Sequence, residues 1–535
     1  MAPITPGRYA KLHQHQPEFF MSNKHTWTST KHGAVQGLNK IVIKGKKFFD
    51  STTGNEFYIK GVAYQPETGE PDPLNRDPLA DPVGCARDAP LLKELGANVI
   101  RVYQTLWSNN HDECMKTFSK NGIYVMLDVA TPAISINRQT PYWTTDLFDG
   151  FRKKIDAFAG YDNVLGFIIG NEVANDKETT PSAAFVKAAT RDVKAYLSFN
   201  KMDYPVGYAS NDDQDIRDQL KTYFNCGDDD SARVDFYGLN LYSWCKSTDT
   251  LQTSGYDKVV AEYQSYSVPL LLTEYGCNTY KPRAFGEAKA LYSSSMTDVF
   301  SGGFMYMYTQ EENDYGIVQV SYGQSKVTKL EEFDNLKSVL TGASPQGVKM
   351  SSYSFSGSPE KCPSVGSTWK VDSAKVPPTP STECCNCMLD SLYCKVDGNL
   401  DNGVDPQKYQ SIISTICAKI DCSPIEYDTS KSSYGQFQFC TLQDRMSWAL
   451  NQYYLANKKS SSSCGYDIVK GVVSASVSVS DDSVCAAKKN DVGTASNNSN
   501  APQQSPSCSE TRFSSLTFNT NVCFAVFLSV LLFVF

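Results

Sequence analysis

The sequence predicts an α/β protein: a (β/α)8 TIM barrel, followed by a small disulfide-rich, mainly helical module and a disordered stalk. Three observations predict it. Eight short apolar runs alternate with helical patterns over roughly 250 residues, the repeat that such a barrel requires. Eight cysteines then crowd into Cys384–Cys464. After Val473 the chain turns to Ser, Asn and Ala.

The barrel elements come in order. Residues 1–38 are polar and unpatterned and stand outside the fold as an N-terminal extension. The runs are FYIKGVAY from Phe57, NVIRVY from Asn98, IYVMLDVA from Ile123 and VLGFIIGNE from Val164. PVGYAS from Pro205, VDFYGLNLY from Val234, VPLLLTEYG from Val268 and GGFMYMY from Gly302 complete the set. Val164–Ile169 shows why these are strands: it is too short for a buried helix and rich in β-branched residues, as internal parallel strands are. Patterns such as ARDAPLLKELGA and PSAAFVKAATRDVKAYLSF supply helices between them. This places the barrel at 39–345. A Ser-, Pro- and Gly-rich linker at 346–382 leads to the cysteine-rich module at 383–470. A low-complexity stalk, 471–509, carries the sequon Asn497-Asn-Ser499 and precedes a terminal signal at 510–535.

Composition narrows the function. The 535 residues hold 50 Lys+Arg against 58 Asp+Glu, a formal charge of −8. Mild acidity argues against nucleic acid and suits a neutral polysaccharide. The 31 tyrosines and 27 phenylalanines could floor a sugar cleft or fill a large core. Seventeen cysteines point to an oxidising compartment. Six lie between Cys85 and Cys362 and eight in the module, even counts that fit disulfides. Zinc is the alternative, because Cys384-x2-Cys387 and Cys417-x4-Cys422 have loosely suitable spacing. The adjacent Cys385 and five distant histidines weigh against it. No metal or organic cofactor is expected.

The chain ends in VCFAVFLSVLLFVF, 14 uncharged residues that as a helix would span about 21 Å of a roughly 30 Å hydrocarbon core. Before it lie the polar spacer ETRFSSLTFNTN and the small residues Ser507, Cys508 and Ser509. That order is a signal for a glycosylphosphatidylinositol (GPI) anchor, with Ser507 the chosen site; a short membrane helix is the competing reading. Such a signal requires secretion, yet Met1–Asn39 contains no apolar leader. The expected secretory signal therefore lies outside this sequence.

Two carboxylates carry the chemistry. Glu172 in GFIIGNEV and Glu274 in PLLLTEYG end the fourth and seventh strands, where parallel barrels keep their active sites. Either glutamate alone reads more readily as a cap of the following helix. Two together, with Asn171 beside the first, suggest the acid/base and nucleophile of a glycosidase. A neighbouring amide can hold a sugar 2-hydroxyl as the oxocarbenium develops. A separation of about 5–5.5 Å between the carboxyls would give retention through a covalent glycosyl-enzyme.

Several motifs stand in a telling order: GVAYQ at Gly61, CARDAPLLKELGANVIRVY at Cys85, HDECM at His111, GNEV at Gly170, LYSWC at Leu241, LLTEYGCN at Leu271 and NDYG at Asn313. Together they resemble the fungal GPI-anchored β-1,3-glucanosyltransferases of glycoside hydrolase family 72. In the module, CNCMLDSLYC and YGQFQFC resemble the X8 (family 43) carbohydrate-binding module. The resemblance implies that Glu172 is the acid/base and Glu274 the nucleophile. It implies sugar-positioning roles for Gln65, Tyr103, Asp128, Asn171, Tyr242 and Tyr306; otherwise Asp128 is a helix N-cap and the tyrosines fill the barrel mouth. It suggests disulfides Cys85–Cys114, Cys226–Cys362 and Cys245–Cys277, and in the module Cys417–Cys422. Two departures lie near the cleft: QTLWSNN after Tyr103, and Met307 where the family usually has an acid between tyrosines.

The expected function is then a retaining enzyme that cuts internal β-1,3-glucan linkages and joins the new reducing end to the non-reducing end of another glucan chain. The alternatives are an endo-β-1,3-glucanase on the same barrel and a non-catalytic, wall-bound glucan-binding protein. Expected partners are glucan donor and acceptor chains and, through the GPI lipid, a membrane. Nucleic acid is excluded, and a monomer is expected. The expected location is the outer face of the plasma membrane and the cell wall.

Overall fold

Each of the eight apolar runs supplies one strand of a closed barrel in the computed structural model, which describes residues 37–66, 75–321, 323–398, 400, 406–464 and 475–477. A hairpin comes first, β1 (Ile41–Lys44) with β2 (Lys47–Asp50). The barrel strands are β3 (Ile59–Ala63), β4 (Val99–Val102), β5 (Tyr124–Asp128) and β6 (Val164–Asn171), then β7 (Val206–Asn211), β8 (Phe236–Asn240), β9 (Leu270–Tyr275) and β10 (Phe300–Met305). They pair in parallel in sequence order, and β10 closes on β3. Residues of β4, β5, β8, β9 and β10 are buried throughout, as a sheet covered on both faces requires. At Gly302 (φ +107°) a side chain would run into the Ile59 carbonyl, so glycine is what lets β10 seal against β3.

The leading hairpin had no counterpart in the sequence reading. Gly45 (φ +57°) and Lys46 make a two-residue turn of the kind glycine favours. The hairpin directs Ile41 and Phe48 onto an apolar cluster that includes Ile59, Val99, Met126, Phe236 and Phe304 from the N-terminal part of the barrel interior. The Phe48 and Phe236 rings lie 6.1 Å apart. The base of the barrel is filled.

A second hairpin, β11 (Val318–Val320) with β12 (Val327–Lys329), precedes the helix Glu331–Gly342 that ends the barrel. The linker that follows is packed rather than loose. Trp369 and Val371 are fully buried in the outer core, and the Trp369 ring lies 5.2 Å from that of Tyr223. Cys362 is joined to Cys226.

The module is mainly helical, with helices Thr382–Asp390, Pro406–Cys417, Leu442–Ala456 and Ser461–Cys464 and the short strands β13 (Cys394–Val396), β14 (Tyr427–Asp428), β15 (Ser433–Tyr434) and β16 (Ala475–Val477). Its own apolar core is stapled by Cys385–Cys440, Cys394–Cys464 and Cys417–Cys422, while Cys384 and Cys387 are also disulfide-bonded. Cys417 and Cys422 are thus bonded to each other rather than presented as thiolates. β16 pairs with β13, beyond the boundary drawn at 470, so a strand of the module forms where composition alone read stalk. The module sits on the barrel. Tyr142 is sandwiched between Arg445, whose guanidinium carbon is 3.4 Å from the ring centroid, and Tyr427 at 5.1 Å. The Thr145 amide donates to the Phe439 carbonyl at 3.0 Å. Among the described residues no helix is long and apolar enough to cross a membrane. Ser507 and the terminal signal, the sequon, and all but two residues of the N-terminal extension lie outside the described residues.

Candidate active site

The C-terminal ends of the strands bring together the residues that the sequence singled out. Glu274 lies on β9 with both carboxylate oxygens engaged. Oε1 accepts from the Tyr103 hydroxyl at 3.0 Å and from Arg101 Nη1 at 3.3 Å, and Oε2 accepts from the Tyr242 hydroxyl at 2.9 Å. The Glu274 pKa lies above the ordinary carboxylate value: burial pushes it up, Arg101 and the hydrogen bonds from Tyr242 and Tyr103 offset that only in part, and the negative charge of Glu172 adds to the upward push. Burial and the nearby Glu274 charge also hold the phenols of Tyr103, Tyr242 and Tyr306 well protonated, so each remains a donor.

Glu172 follows β6 directly, with a left-handed backbone (φ +49°) that is uncommon for a residue bearing a Cβ. Its Oε1 accepts from Asn240 Nδ2 at 2.8 Å. Asn240 also donates to Asn171 Oδ1 at 3.1 Å and accepts from the Thr273 hydroxyl at 2.9 Å. Arg101, on β4 and fully buried, completes the link. Its Nε and Nη2 form a two-point ion pair with Asp128 at 2.9 and 2.8 Å, Nη2 also donates to Asn171 Oδ1 at 3.0 Å, and its guanidinium lies 4.5 Å over the Tyr103 ring. One network therefore runs Glu172–Asn240–Asn171–Arg101–Glu274. The Asn171 oxygen is occupied by two donors, which leaves its amide nitrogen for a hydroxyl.

The other named residues sort by geometry. Gln65, just past β3, accepts through Oε1 from the backbone amides of Tyr103 and Gln104 at 3.2 and 3.0 Å, and so sets the loop that carries Tyr103. Asp128 caps no helix. Both its oxygens are taken by Arg101 and it is buried, so it fixes that arginine. Tyr306 forms an aromatic wall with Tyr103 and Tyr242, ring centroids 6.3 and 6.5 Å away. Met307 beside it is buried. Disulfides join Cys85 to Cys114 and Cys245 to Cys277; the latter ties the loop after β8, which carries Tyr242, to the loop after β9.

Sequence reasoning missed Arg101, Asn240 and Tyr315. Arg101 had a signal: a lone charge inside NVIRVY is tolerable in a buried strand only with partners. Asn240 stood in GLNLY without a local pattern. Tyr315, in NDYG, joins the aromatic wall with its ring 5.2 Å from that of Tyr306.

A family profile described as glucanosyltransferase, glycoside hydrolase family 72, matches residues 30–344, the span that contains the barrel and both glutamates. The chain belongs to this glucanosyltransferase family. An X8 domain profile matches residues 392–469 within the module. Among family relatives, Protein EPD1 of Candida maltosa is 43% identical over 86% of this chain and 82% of its own length. The 1,3-beta-glucanosyltransferase GAS2 of Saccharomyces cerevisiae is 40% identical over 77% and 76%. Solved structures of the yeast protein agree. A Gas2p mutant in complex with laminaritetraose and laminaripentaose superposes with a TM-score of 0.71 at 39% identity, covering 78% of this chain and 91% of that one. The Gas2p apostructure gives 0.75 at 38% identity over 83% and 93%.

Proposed function

We propose that this glucanosyltransferase-family enzyme is a retaining 1,3-β-glucanosyltransferase with Glu274 as nucleophile and Glu172 as acid/base. The observation that carries the assignment is the unlike setting of the two carboxylates. Glu274 accepts from one cation and two phenols, which stabilise an ionised, aimed carboxylate. Glu172 receives one neutral amide donor on Oε1, from Asn240, a setting compatible with a group that must gain and lose a proton.

In the first step Glu274 attacks the anomeric carbon of an internal glucose unit while Glu172 protonates the departing glycosidic oxygen. The leaving piece carries away the old reducing end, and the retained piece is bonded to Glu274. In the second step Glu172 takes the proton from the 3-hydroxyl at the non-reducing end of an acceptor glucan. That oxygen displaces Glu274, and two inversions restore the β-configuration. Asn171 holds the 2-hydroxyl, and Tyr103, Tyr242 and Tyr306 line the sugar's path. Gln65 and Asp128 act one step removed, through the Tyr103 loop and Arg101. The cysteine-rich module braces the barrel or binds glucan, and GPI attachment at Ser507 holds the enzyme at the outer plasma membrane and wall.

Product analysis with a reduced laminari-oligosaccharide tests this reading. Products longer than the substrate are expected; shorter products alone would make the enzyme a hydrolase, and none at all a binding protein.

A further inference from the structure

We infer that Tyr208 is a positioning residue for the acid/base, holding the left-handed turn that aims Glu172, with Arg138 fastening the same turn from the opposite side. The inference rests on Glu172 being the acid/base.

At Glu172 the chain leaves β6, and its φ of +49° determines where the carboxyl points. A Cβ makes that conformation costly, so it persists only where its surroundings impose it. The Glu172 amide donates to the Ala209 carbonyl at 2.9 Å, a backbone tie to β7. The next two amides, of Val173 and Ala174, have no strand partner. Both donate to the Tyr208 hydroxyl, at 3.1 and 3.3 Å. Tyr208 is wholly buried on β7, and its ring is stacked on Phe224 at 4.3 Å. It lies against the turn: a Cβ at Gly170 would come within 3.5 Å of its ring. Across the turn, the Glu172 carbonyl accepts from Arg138 Nη2 at 2.9 Å.

The Glu172 amide and carbonyl and the next two amides are therefore held by β7, by Arg138 and by the Tyr208 hydroxyl. Were the turn to relax toward extended backbone, the Cα–Cβ direction would swing and the carboxyl would lose the Asn240 amide. Tyr208 touches neither sugar nor reacting atoms in this scheme. It acts through Glu172.

The test separates proton delivery from everything else. Tyr208→Phe keeps the ring and its stacking but removes the acceptor for two buried amides. Turnover of a laminari-oligosaccharide is expected to fall ~10–100-fold through kcat, the order of loss that a small misplacement causes. First-turnover release of dinitrophenolate from a dinitrophenyl β-laminari-oligosaccharide, a leaving group that needs no proton, is expected to stay within about threefold of wild type. Equal loss on both donors, or no loss on the oligosaccharide, would overturn the inference. Glu172→Gln, run alongside, tells the two readings apart. If it shows no split between donors, the acid/base assignment fails; if it splits and Tyr208→Phe does not, only the positioning role fails. Should Tyr208→Phe not fold, Arg138→Ala decides by the same criteria, with recovery expected in Arg138→Lys.

Discussion

Arg101 donates to Glu274 at 3.3 Å with the same guanidinium that grips Asp128, so the proposed nucleophile shares with Asp128 a cation that has no access to solvent. Removing that cation has two expected effects. Arg101→Met leaves Asp128 buried and uncompensated and should cost ~3–5 kcal/mol of stability in thermal or urea unfolding. Because Arg101 holds the Glu274 pKa down against burial, its loss should raise that pKa. The acidic limb of kcat/KM, where the nucleophile becomes protonated, should therefore move to higher pH. An unmoved limb in a folded variant would remove Arg101 from the nucleophile's environment.

Glu172→Gln and Glu274→Gln should each abolish glucan turnover. Acid/base help alone is worth roughly 10²–10⁴-fold, and loss of the nucleophile removes the two-step route altogether. Circular dichroism and the melting transition should remain close to wild type, since each change swaps near-isosteric groups. Substantial activity in either mutant contradicts the pair.

Retention is a separate matter. A 2-fluoro glycosyl inactivator should label a peptide containing Glu274, and proton NMR of early products should show the β-anomer first. An α-anomer at early time would require an inverting arrangement, with the carboxyls farther apart.

Glu287 offers a separate pH test. It lies buried in the helix Gly286–Leu291, and burial raises its pKa from 4.5 to about 7. A carboxyl whose folded pKa exceeds its unfolded value contributes stability below about pH 4.5, and that contribution is lost as pH rises through about 7. Glu287→Gln should therefore flatten the stability profile between those limits, read by melting temperature against pH. An unchanged slope would mean that the site is wetter than its burial implies.

Deleting the module through β16, residues 383–477, should lower the yield of secreted protein. It would expose Tyr142 and Phe185, which now meet Tyr427 at 5.1 and 4.7 Å, and would free the Thr145 amide from Phe439. Arg445→Ala, which strips the cap from Tyr142 and frees the Cys440 carbonyl, should cost less than the deletion. Catalysis by the isolated module would contradict its supporting role.

The eight barrel strands were legible because burial on both faces forces short apolar runs, and the two glutamates drew notice because each stands where such a run stops. What escaped had weaker local signals. The Ile41–Asp50 hairpin is short and lysine-rich, and its purpose appears only once there is a barrel base to cover. Trp369 was hidden in a Ser- and Pro-rich stretch whose composition says linker while one large ring says core. Arg101 and Asn240 belong to a network that joins Glu172 to Asn240 across 68 residues and Arg101 to Glu274 across 173, and no sequence window spans such distances. Tyr208 looked like one more apolar-run aromatic until its hydroxyl found two amides.

The plugged base has a consequence for traffic. With Ile41 and Phe48 stoppering one end, nothing threads through the barrel, and every sugar must use the same doorway to arrive and to leave. A polymer-cutting enzyme with a single doorway works in turns. On the proposed double displacement, the severed fragment has to clear the threshold before the incoming chain can reach the bond held by Glu274, and in that interval water can reach the same bond. How far the enzyme builds glucan rather than shortens it is thus decided by queueing at the mouth: by how quickly one chain steps out and how promptly the next steps in.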